Sequence, residues 1–233
     1  MTREGRDRPD TDWHVARLYE FAGDLDATVI VANYSRYVVD LNRPGDDSTL
    51  YDGQVATGIC PRRSFAGIDL YEPGRHADDE EQSQRVHTFW QPYHRALQST
   101  LEAGKAEHGY ALLWDAHSIP SRVPGLFDGE LPELNIGTYS GRSCDEDLAA
   151  AVVAVATNSD YSSVENGRFI GGFITRHHGQ PGDDVHAIQL EIAQRAYMDE
   201  ASREYDESKA AKLRDTLTRM IEAYVRAAER KYR

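Results

Sequence analysis

The sequence has little cysteine, a shortage of basic charge and no long apolar run. Its two cysteines, Cys60 and Cys144, lie far apart and fit neither a disulfide framework nor a cysteine-based zinc site. Lysine and arginine number 26 against 39 aspartate and glutamate residues, and the net charge of −13 argues against nucleic acid or an anionic membrane as a partner. No apolar run approaches the roughly 18–20 residues of a membrane-spanning helix, and residues 1–9 do not make a signal peptide. We therefore expect a soluble, cytoplasmic protein.

What the sequence does contain is the pattern of an α/β protein. The 233 residues are enough for one large domain with a sizeable core. Alternating strand-like and helix-like segments predict a single α/β domain over residues 12–233, preceded by a flexible N-terminus at residues 1–11. The predicted strands are 27–32, 37–39, 110–114 and 134–138, and the segment 185–194 is either a strand or a helix. One predicted helix begins near residue 12, and the three others span 86–106, 145–157 and 209–230. A long loop at 44–84 indicates a lid or an oligomer contact.

The segment 110–118 contains a predicted buried strand that is followed by polar residues. Its apolar run ends at Trp114 and is followed by Asp115 and His117. In open α/β sheets the chemistry lies just beyond the carboxyl ends of the strands. The Asp-x-His pattern is therefore a candidate for metal binding or for acid–base catalysis. The alternative is a strand-end histidine that is merely hydrogen-bonded in a loop.

Two arginines bracket the predicted strand 37–39. A guanidinium group is planar and always charged, and it binds carboxylates through two parallel hydrogen bonds. Arg36 and Arg43 are thus candidates for holding an anionic substrate in this acidic protein. The alternative is that they pair internally with Asp40 or Asp24, as structural ion pairs commonly do.

A third candidate is Glu191, which lies in the apolar segment 185–194. A carboxyl group among such neighbours is either ion-paired or suited to act as a general base. Together His117, the two arginines with Asn42, and Glu191 suit metal-assisted hydrolysis of an amide in a carboxylate-bearing substrate. In such reactions zinc polarises the carbonyl group, a glutamate takes a proton from water, and an arginine stabilises the oxyanion.

At these residues the sequence closely resembles the N-formylglutamate amidohydrolases, the formylglutamate deformylases of histidine breakdown. The matching segments are Asp-Thr-Asp-Trp-His-Val at 10–15, Ser-Arg-Tyr-Val-Val-Asp-Leu-Asn-Arg-Pro at 35–44, Leu-Trp-Asp-Ala-His-Ser at 113–118, Gly-Gly-Phe-Ile-Thr-Arg-His-His-Gly-Gln-Pro at 171–181, Val-His-Ala-Ile-Gln-Leu-Glu-Ile at 185–192 and Tyr-Met-Asp-Glu at 197–200. The Asp-Leu-Asn-Arg and Asp-x-His motifs are also similar to those of the aspartoacylase and zinc carboxypeptidase group. The resemblance implies the phosphorylase/hydrolase-like fold of that group, with a mixed sheet flanked by helices.

The resemblance further implies a reaction and a role for each matching residue. The reaction is the hydrolysis of N-formyl-L-glutamate, a small dicarboxylate N-acyl amino acid, to formate and L-glutamate with one Zn²⁺ ion. His117 and Asp12 are the implied zinc ligands, and His14 is a second choice to Asp12. Glu191 is the implied general base, and Arg36 is the implied contact of the oxyanion. The implied contacts of the substrate carboxylates are Asn42, Arg43 and Arg176.

The sequence departs from the family pattern at its N-terminal end. The family carries a longer N-terminal segment with a first core strand and a Pro-His-x-Gly motif, whose histidine we expect to bind zinc. We therefore expect the first strand to be missing here and zinc to be held weakly, since catalytic zinc sites usually have three protein ligands. The alternatives are an impaired or inactive homologue that binds glutamate-like anions, or the same chemistry on another N-acyl amino acid such as an N-acylaspartate. The oligomeric state cannot be predicted from these features.

Overall fold

The computed structural model describes residues 1–49 and 57–233. Residues 50–56, which belong to the predicted 44–84 loop, lie outside the described residues. The α-helices are Arg3–Asp7 (α1), Val15–Leu18 (α2), Asp79–Arg85 (α3), Gln91–His108 (α4), Glu146–Thr157 (α5), Phe173–His178 (α6) and Glu207–Tyr232 (α7). The strands are Ala111–Ile119 (β1), Leu134–Gly137 (β2), Ser163–Glu165 (β3) and Val185–Ala193 (β4). Within these described residues, no helix is long and apolar enough to cross a membrane.

The chain forms two compact units. Unit 1 consists of Met1–Thr11, Val31–Ser99 and Arg122–Gly129, and unit 2 of Asp12–Ile30, Thr100–Ser121 and Glu130–Arg233. In unit 1, helix α1 gives regular structure to part of the segment predicted to be flexible, and the Thr2 side chain caps it by accepting a hydrogen bond from Gly5. The prediction of one domain over residues 12–233 stays a prediction.

Unit 2 contains a four-stranded sheet in the order β1-β4-β2-β3. Strand β4 pairs with β1 in parallel and with β2 antiparallel, and β2 pairs with β3 in parallel. The prediction of a mixed sheet flanked by helices is therefore confirmed. The ambiguous segment 185–194 is the central strand β4, and all nine of its residues are buried.

One face of this sheet packs against helices α5 and α7. Along β4, Ile188, Leu190 and Ile192 are fully buried in the same core as the apolar stripe of α7. That stripe consists of Leu213, Leu217, Met220 and Tyr224, which recur at helical spacing. Burying a large apolar side chain stabilises the fold by about 1.5–3 kcal/mol, so this face supplies much of the stability of unit 2.

Two predicted strands are wrong. Residues 27–32 form no strand, and Val29 and Val31 are 55% and 51% exposed. A β-branched run becomes a strand only when a neighbour takes its hydrogen bonds and covers its side chains, and no such neighbour occurs among the described residues. Residues 37–39 form no strand either; a turn covers residues 36–38, and the Val38 N–H donates to the Ser35 carbonyl oxygen at 2.8 Å.

The predicted helices are found with altered ends. The helix predicted near residue 12 is only the single turn α2, followed by a 3₁₀ helix at Glu20–Leu25. The one predicted at 86–106 is part of a continuous run from α3 to α4, interrupted by a π-helical segment at Val86–Trp90. This wider turn lies directly before Pro92, whose ring and missing N–H disfavour regular α-helix geometry.

Candidate functional site

Neighbouring strands place polar side chains on one face of the sheet in unit 2. His117 of β1 is paired with Glu191 of β4, which is paired in turn with Asn135 of β2. Two residues earlier, Asp115 of β1 is paired with Gln189 of β4. Paired residues project to the same side of a sheet, and residues two apart along a strand share that side. These five residues therefore form a group on the sheet surface opposite the core, here called the polar face.

His117 is held between two carboxylates. Its Nδ1 lies 3.2 Å from Asp12 Oδ1 and its Nε2 lies 2.9 Å from Asp115 Oδ1. Burial alone would lower the pKa of His117, but the two carboxylates outweigh burial and raise this pKa well above its ordinary value. The two contacts thus fix the orientation of the imidazole ring. The predicted strand end at Trp114 is wrong, because β1 continues to Ile119 and His117 lies within the strand.

Asp12 is tied to β1 by a second contact. Its Oδ1 accepts a hydrogen bond from the Ser118 N–H at 2.9 Å. The Tyr197 hydroxyl lies 2.8 Å from the Ser118 hydroxyl and donates to the Trp13 carbonyl oxygen at 2.6 Å. The chain at Asp12 and Trp13 is therefore fastened to the strand that carries His117.

Asp12 and His117 are two donors of the kind that zinc binds. Their nearest atoms are 3.2 Å apart, and Asp115 holds the other nitrogen of the imidazole ring. No group of three His, Cys, Asp or Glu residues in 1–49 and 57–233 could hold a metal ion. The second-choice ligand His14 has its Nε2 2.9 Å from the Arg203 carbonyl oxygen. The nitrogen of His117 and the carboxylate oxygen of Asp12 are thus of the chemical type that zinc binds, and these two atoms contact each other.

Glu191 is 8% exposed and lies between polar neighbours. The Nδ2 of Asn135 donates to the Glu191 carbonyl oxygen at 3.0 Å, which ties β2 to β4 through a side chain. The Nε2 of Gln189 donates to Glu191 Oε2 at 3.5 Å. The carboxyl group is therefore almost fully enclosed on the polar face, close in register to His117.

The segment before α6 approaches the polar face closely. A Cβ atom at Gly137 would come within 2.7 Å of the backbone nitrogen of Gly171. Gly171 has φ of +119°, in a region that residues with side chains rarely adopt. The next N–H, that of Gly172, donates to Gln189 Oε1 at 2.7 Å. Glycine at these positions lets α6 begin directly against the sheet.

Helix α6 places two further side chains. The Thr175 hydroxyl donates to Asp115 Oδ2 at 2.9 Å, so the carboxylate that holds His117 is itself held. The Arg176 Nε donates to the Gly171 carbonyl oxygen at 2.8 Å, and its guanidinium lies 4.6 Å from the centre of the Tyr139 ring. Arg176 is thus oriented from two sides, in the same helix that supports Asp115.

The remaining predicted residues lie in unit 1 and gather around the buried Asp40. Its Oδ2 is 4.0 Å from Arg36 Nε, and its Oδ1 accepts from the Asn42 N–H at 3.0 Å. Arg43 donates through Nη2 to the Thr57 hydroxyl at 3.3 Å. The internal Arg36–Asp40 pair that the sequence allowed is therefore present. It orients a guanidinium group that has five N–H donors in all.

The predicted site residues thus fall into two groups. Unit 2 contains Asp12, His117, Arg176 and Glu191, and unit 1 contains Arg36, Asn42 and Arg43. Gln189 and Thr175 are absent from the predicted set. Gln189 could have been found from the period of two along β4, because it shares a face with Glu191. Thr175 gave no comparable signal, since its contact with Asp115 arises only from tertiary packing.

Comparison with known proteins points to one family. The profile of a family described as N-formylglutamate amidohydrolase matches residues 1–198. A protein from Pseudomonas aeruginosa named N-formylglutamate deformylase is 54% identical over 201 residues, which are 86% of this chain and 75% of that protein. A protein of the same name from Pseudomonas putida is 46% identical over 234 residues, which cover 100% of this chain and 87% of that protein.

A solved structure shares the fold. The crystal structure of N-formylglutamate amidohydrolase from Ralstonia eutropha JMP134 matches with a TM-score of 0.80 and 22% identity, over 97% of this chain and 87% of that chain. At this level of identity the likeness supports the mixed α/β architecture alone.

Proposed function

Because the chain belongs to the N-formylglutamate amidohydrolase family, we propose that it hydrolyses N-formyl-L-glutamate to formate and L-glutamate. The observation that carries this proposal is the pairing of Glu191 with His117 on the polar face, beside a carboxylate that faces the same imidazole. The names of the two Pseudomonas relatives support the same substrate. The proposed role is in histidine breakdown, and the proposed location is the cytoplasm.

Glu191 is the proposed general base. It takes a proton from the water that attacks the formyl carbon, and it passes this proton to the amide nitrogen as the C–N bond breaks. The products are formate and the free amine of L-glutamate, so water is the only co-reactant. An enclosed carboxyl group suits this task because it is shielded from bulk water while it holds the proton.

His117 and Asp12 are the proposed ligands of one Zn²⁺ ion. When bound, the ion supplies Lewis acidity toward the formyl oxygen and lowers the pKa of a coordinated water. Asp115 would keep Nε2 of His117 occupied and so leave Nδ1 for the ion. With two donors in contact, we expect weaker zinc binding than in sites with three protein ligands.

The arginines are proposed to bind the anionic parts of the reaction. Arg36 would stabilise the oxyanion that forms at the formyl carbon, while Asn42 and Arg43 would hold one substrate carboxylate and Arg176 the other. The net charge of −13 makes such local positive charge necessary for a dicarboxylate substrate.

The test is formate release from N-formyl-L-glutamate by the 233-residue chain, with and without added zinc. Zinc-dependent release supports the proposal, and N-acetyl-L-aspartate serves as the competing N-acyl substrate. Absence of release under both conditions, with calorimetric binding of L-glutamate, would favour the alternative of an inactive anion-binding homologue. That alternative is motivated by the two-donor arrangement of Asp12 and His117.

A further inference from the structure

We propose that Gln189 is a positioning residue that holds the Glu191 carboxyl group and the start of helix α6 in fixed places relative to each other. The inference rests on the proposed role of Glu191 as the base. It concerns a residue that lies two positions before Glu191, on the same face of the same strand.

The orientation of the Gln189 amide follows from its neighbours. Its Oε1 is 2.7 Å from the Gly172 backbone nitrogen, which can only donate a hydrogen bond. The oxygen of the amide is therefore fixed at Gly172, and the NH₂ group must lie on the other side. That group faces Glu191 Oε2 at 3.5 Å. One planar amide thus connects the proposed base to the residue that precedes α6.

Burial makes this connection important. Gln189 is 3% exposed, so bulk water has little access to replace either contact. An N–H group left without a partner in such a place is destabilising, because it loses its hydrogen bond with water and gains none in the protein. The contact with Glu191 is long and therefore weak. It limits the rotation of the carboxyl group without competing strongly for the lone pair that receives the proton.

The two ends of the amide have different consequences. The Nε2 end contacts the base, whereas the Oε1 end anchors the helix that carries Thr175 and Arg176. Loss of the donor should therefore affect the chemical step. Loss of the acceptor as well should also displace Arg176, which is the proposed carboxylate contact. The separation of kcat from KM can distinguish these two functions.

The experiment compares Gln189→Glu with Gln189→Met. The glutamate keeps an oxygen for the Gly172 N–H but sets two carboxyl groups side by side, which then share a proton. We expect kcat to fall about 10–100-fold with KM nearly unchanged, since general-base catalysis contributes about 10²–10⁴-fold. The methionine keeps the size of the side chain and removes both contacts. We expect it to lower kcat and to raise KM about tenfold, because small misplacements of binding groups are costly.

The matched control is Ile188→Val, which changes the preceding residue on the opposite face of β4. Ile188 is fully buried in the core, so this variant loses stability without touching the polar face. Its kcat and KM should equal those of the unchanged protein. The zinc dissociation constant, measured by chelator competition, should stay within twofold in both Gln189 variants because Gln189 contacts neither Asp12 nor His117 through the bonds described above.

Three results would overturn the inference. They are unchanged kcat in both Gln189 variants, a loss of kcat in Ile188→Val as large as in Gln189→Glu, or the same KM in Gln189→Met and Gln189→Glu. Glu191→Gln separates this failure from that of the proposed function. If Glu191→Gln is inactive while the Gln189 variants are fully active, the base assignment stands and only the role of Gln189 is lost.

Discussion

The two faces of strand β4 differ in chemistry at the adjacent residues Leu190 and Glu191. Leu190 is fully buried and packs in the core with α5 and α7, whereas its neighbour Glu191 belongs to the polar face. Because side chains alternate along a strand, a single segment can supply stability on one side and reactive groups on the other. Substitutions one residue apart should therefore have effects of different kinds.

The same contrast separates two histidines of unit 2. His117, on the polar face, lies between two carboxylates that raise its pKa well above the ordinary value. His186 of β4 lies one strand away in the sheet, and burial is the largest cause of its lowered pKa. The two carboxylates thus favour the protonated form of His117, whereas burial favours the neutral form of His186. Burial acts on both rings, and the carboxylates in contact with His117 reverse its effect there.

The largest effect should come from Glu191→Gln. The amide keeps the shape of the side chain but cannot take a proton, so formate release should fall by about 10²–10⁴-fold. The midpoint of thermal unfolding should change little. Leu190→Ala is the matched variant on the other face, and it should cost about 2–5 kcal/mol of unfolding free energy while the folded fraction keeps its turnover. Undiminished turnover in Glu191→Gln would remove the base assignment.

Asp115→Asn should have the next largest effect, on metal binding. Asp115 contacts Nε2 of His117 and accepts from Thr175, so it fixes the ring that is the proposed zinc ligand. Loss of such supporting carboxylates typically weakens metal affinity by about 10–100-fold. Chelator competition with zinc would measure the change, and Thr175→Val should give a smaller change in the same direction. An unchanged zinc dissociation constant in Asp115→Asn would contradict the supporting role.

Much of the sheet could be predicted because local pattern and tertiary burial agree there. The apolar run 110–114 contains part of strand β1, the short strand-like segment 134–138 contains strand β2, and the stripe of α7 follows helical spacing. The polar residues after Trp114 predict an end of β1 that is too early, since the strand continues to Ile119. On a strand with one polar face, Asp115 and His117 fit the period of two without breaking it.

The errors have a physical cause in long-range contacts. The run 27–32 has strong β propensity, but propensity describes how residues fit a half-buried sheet and cannot provide the partner strand. The contacts of Gln189 with Gly172 and of Thr175 with Asp115 join residues 17 and 60 positions apart. They depend on strand register and on the close approach at Gly171, which no local pattern encodes. The Asp-x-His pattern itself indicated His117 as a candidate ligand, whereas Asp12 was indicated by the family resemblance alone. Their role as zinc ligands stays a proposal.

The smallest effect should come from His186→Gln and should appear only as a change in pH dependence. The Asp145 N–H donates to Nδ1 of His186, so the ring proton lies on Nε2, 2.7 Å from the Tyr232 hydroxyl. Protonation of Nδ1 would break the first bond. Burial chiefly lowers the pKa of His186; Asp145 and Asp184 oppose the shift, and Lys231 adds to it.

The sign of this dependence follows from the lowered pKa. Below the ordinary pKa of 6.5 the unfolded chain binds a proton at His186, whereas the lowered pKa disfavours this proton in the folded protein. The contribution of the unprotonated ring to folding stability is therefore present above pH 6.5 and is lost as the pH falls. A single proton changes the unfolding free energy by at most about 1.4 kcal/mol per pH unit. Urea unfolding between about pH 7 and 5 should therefore give a flatter curve for His186→Gln. If both proteins lose stability equally over this range, the neutral ring does not contribute, and the contrast between the two histidines rests on His117 alone.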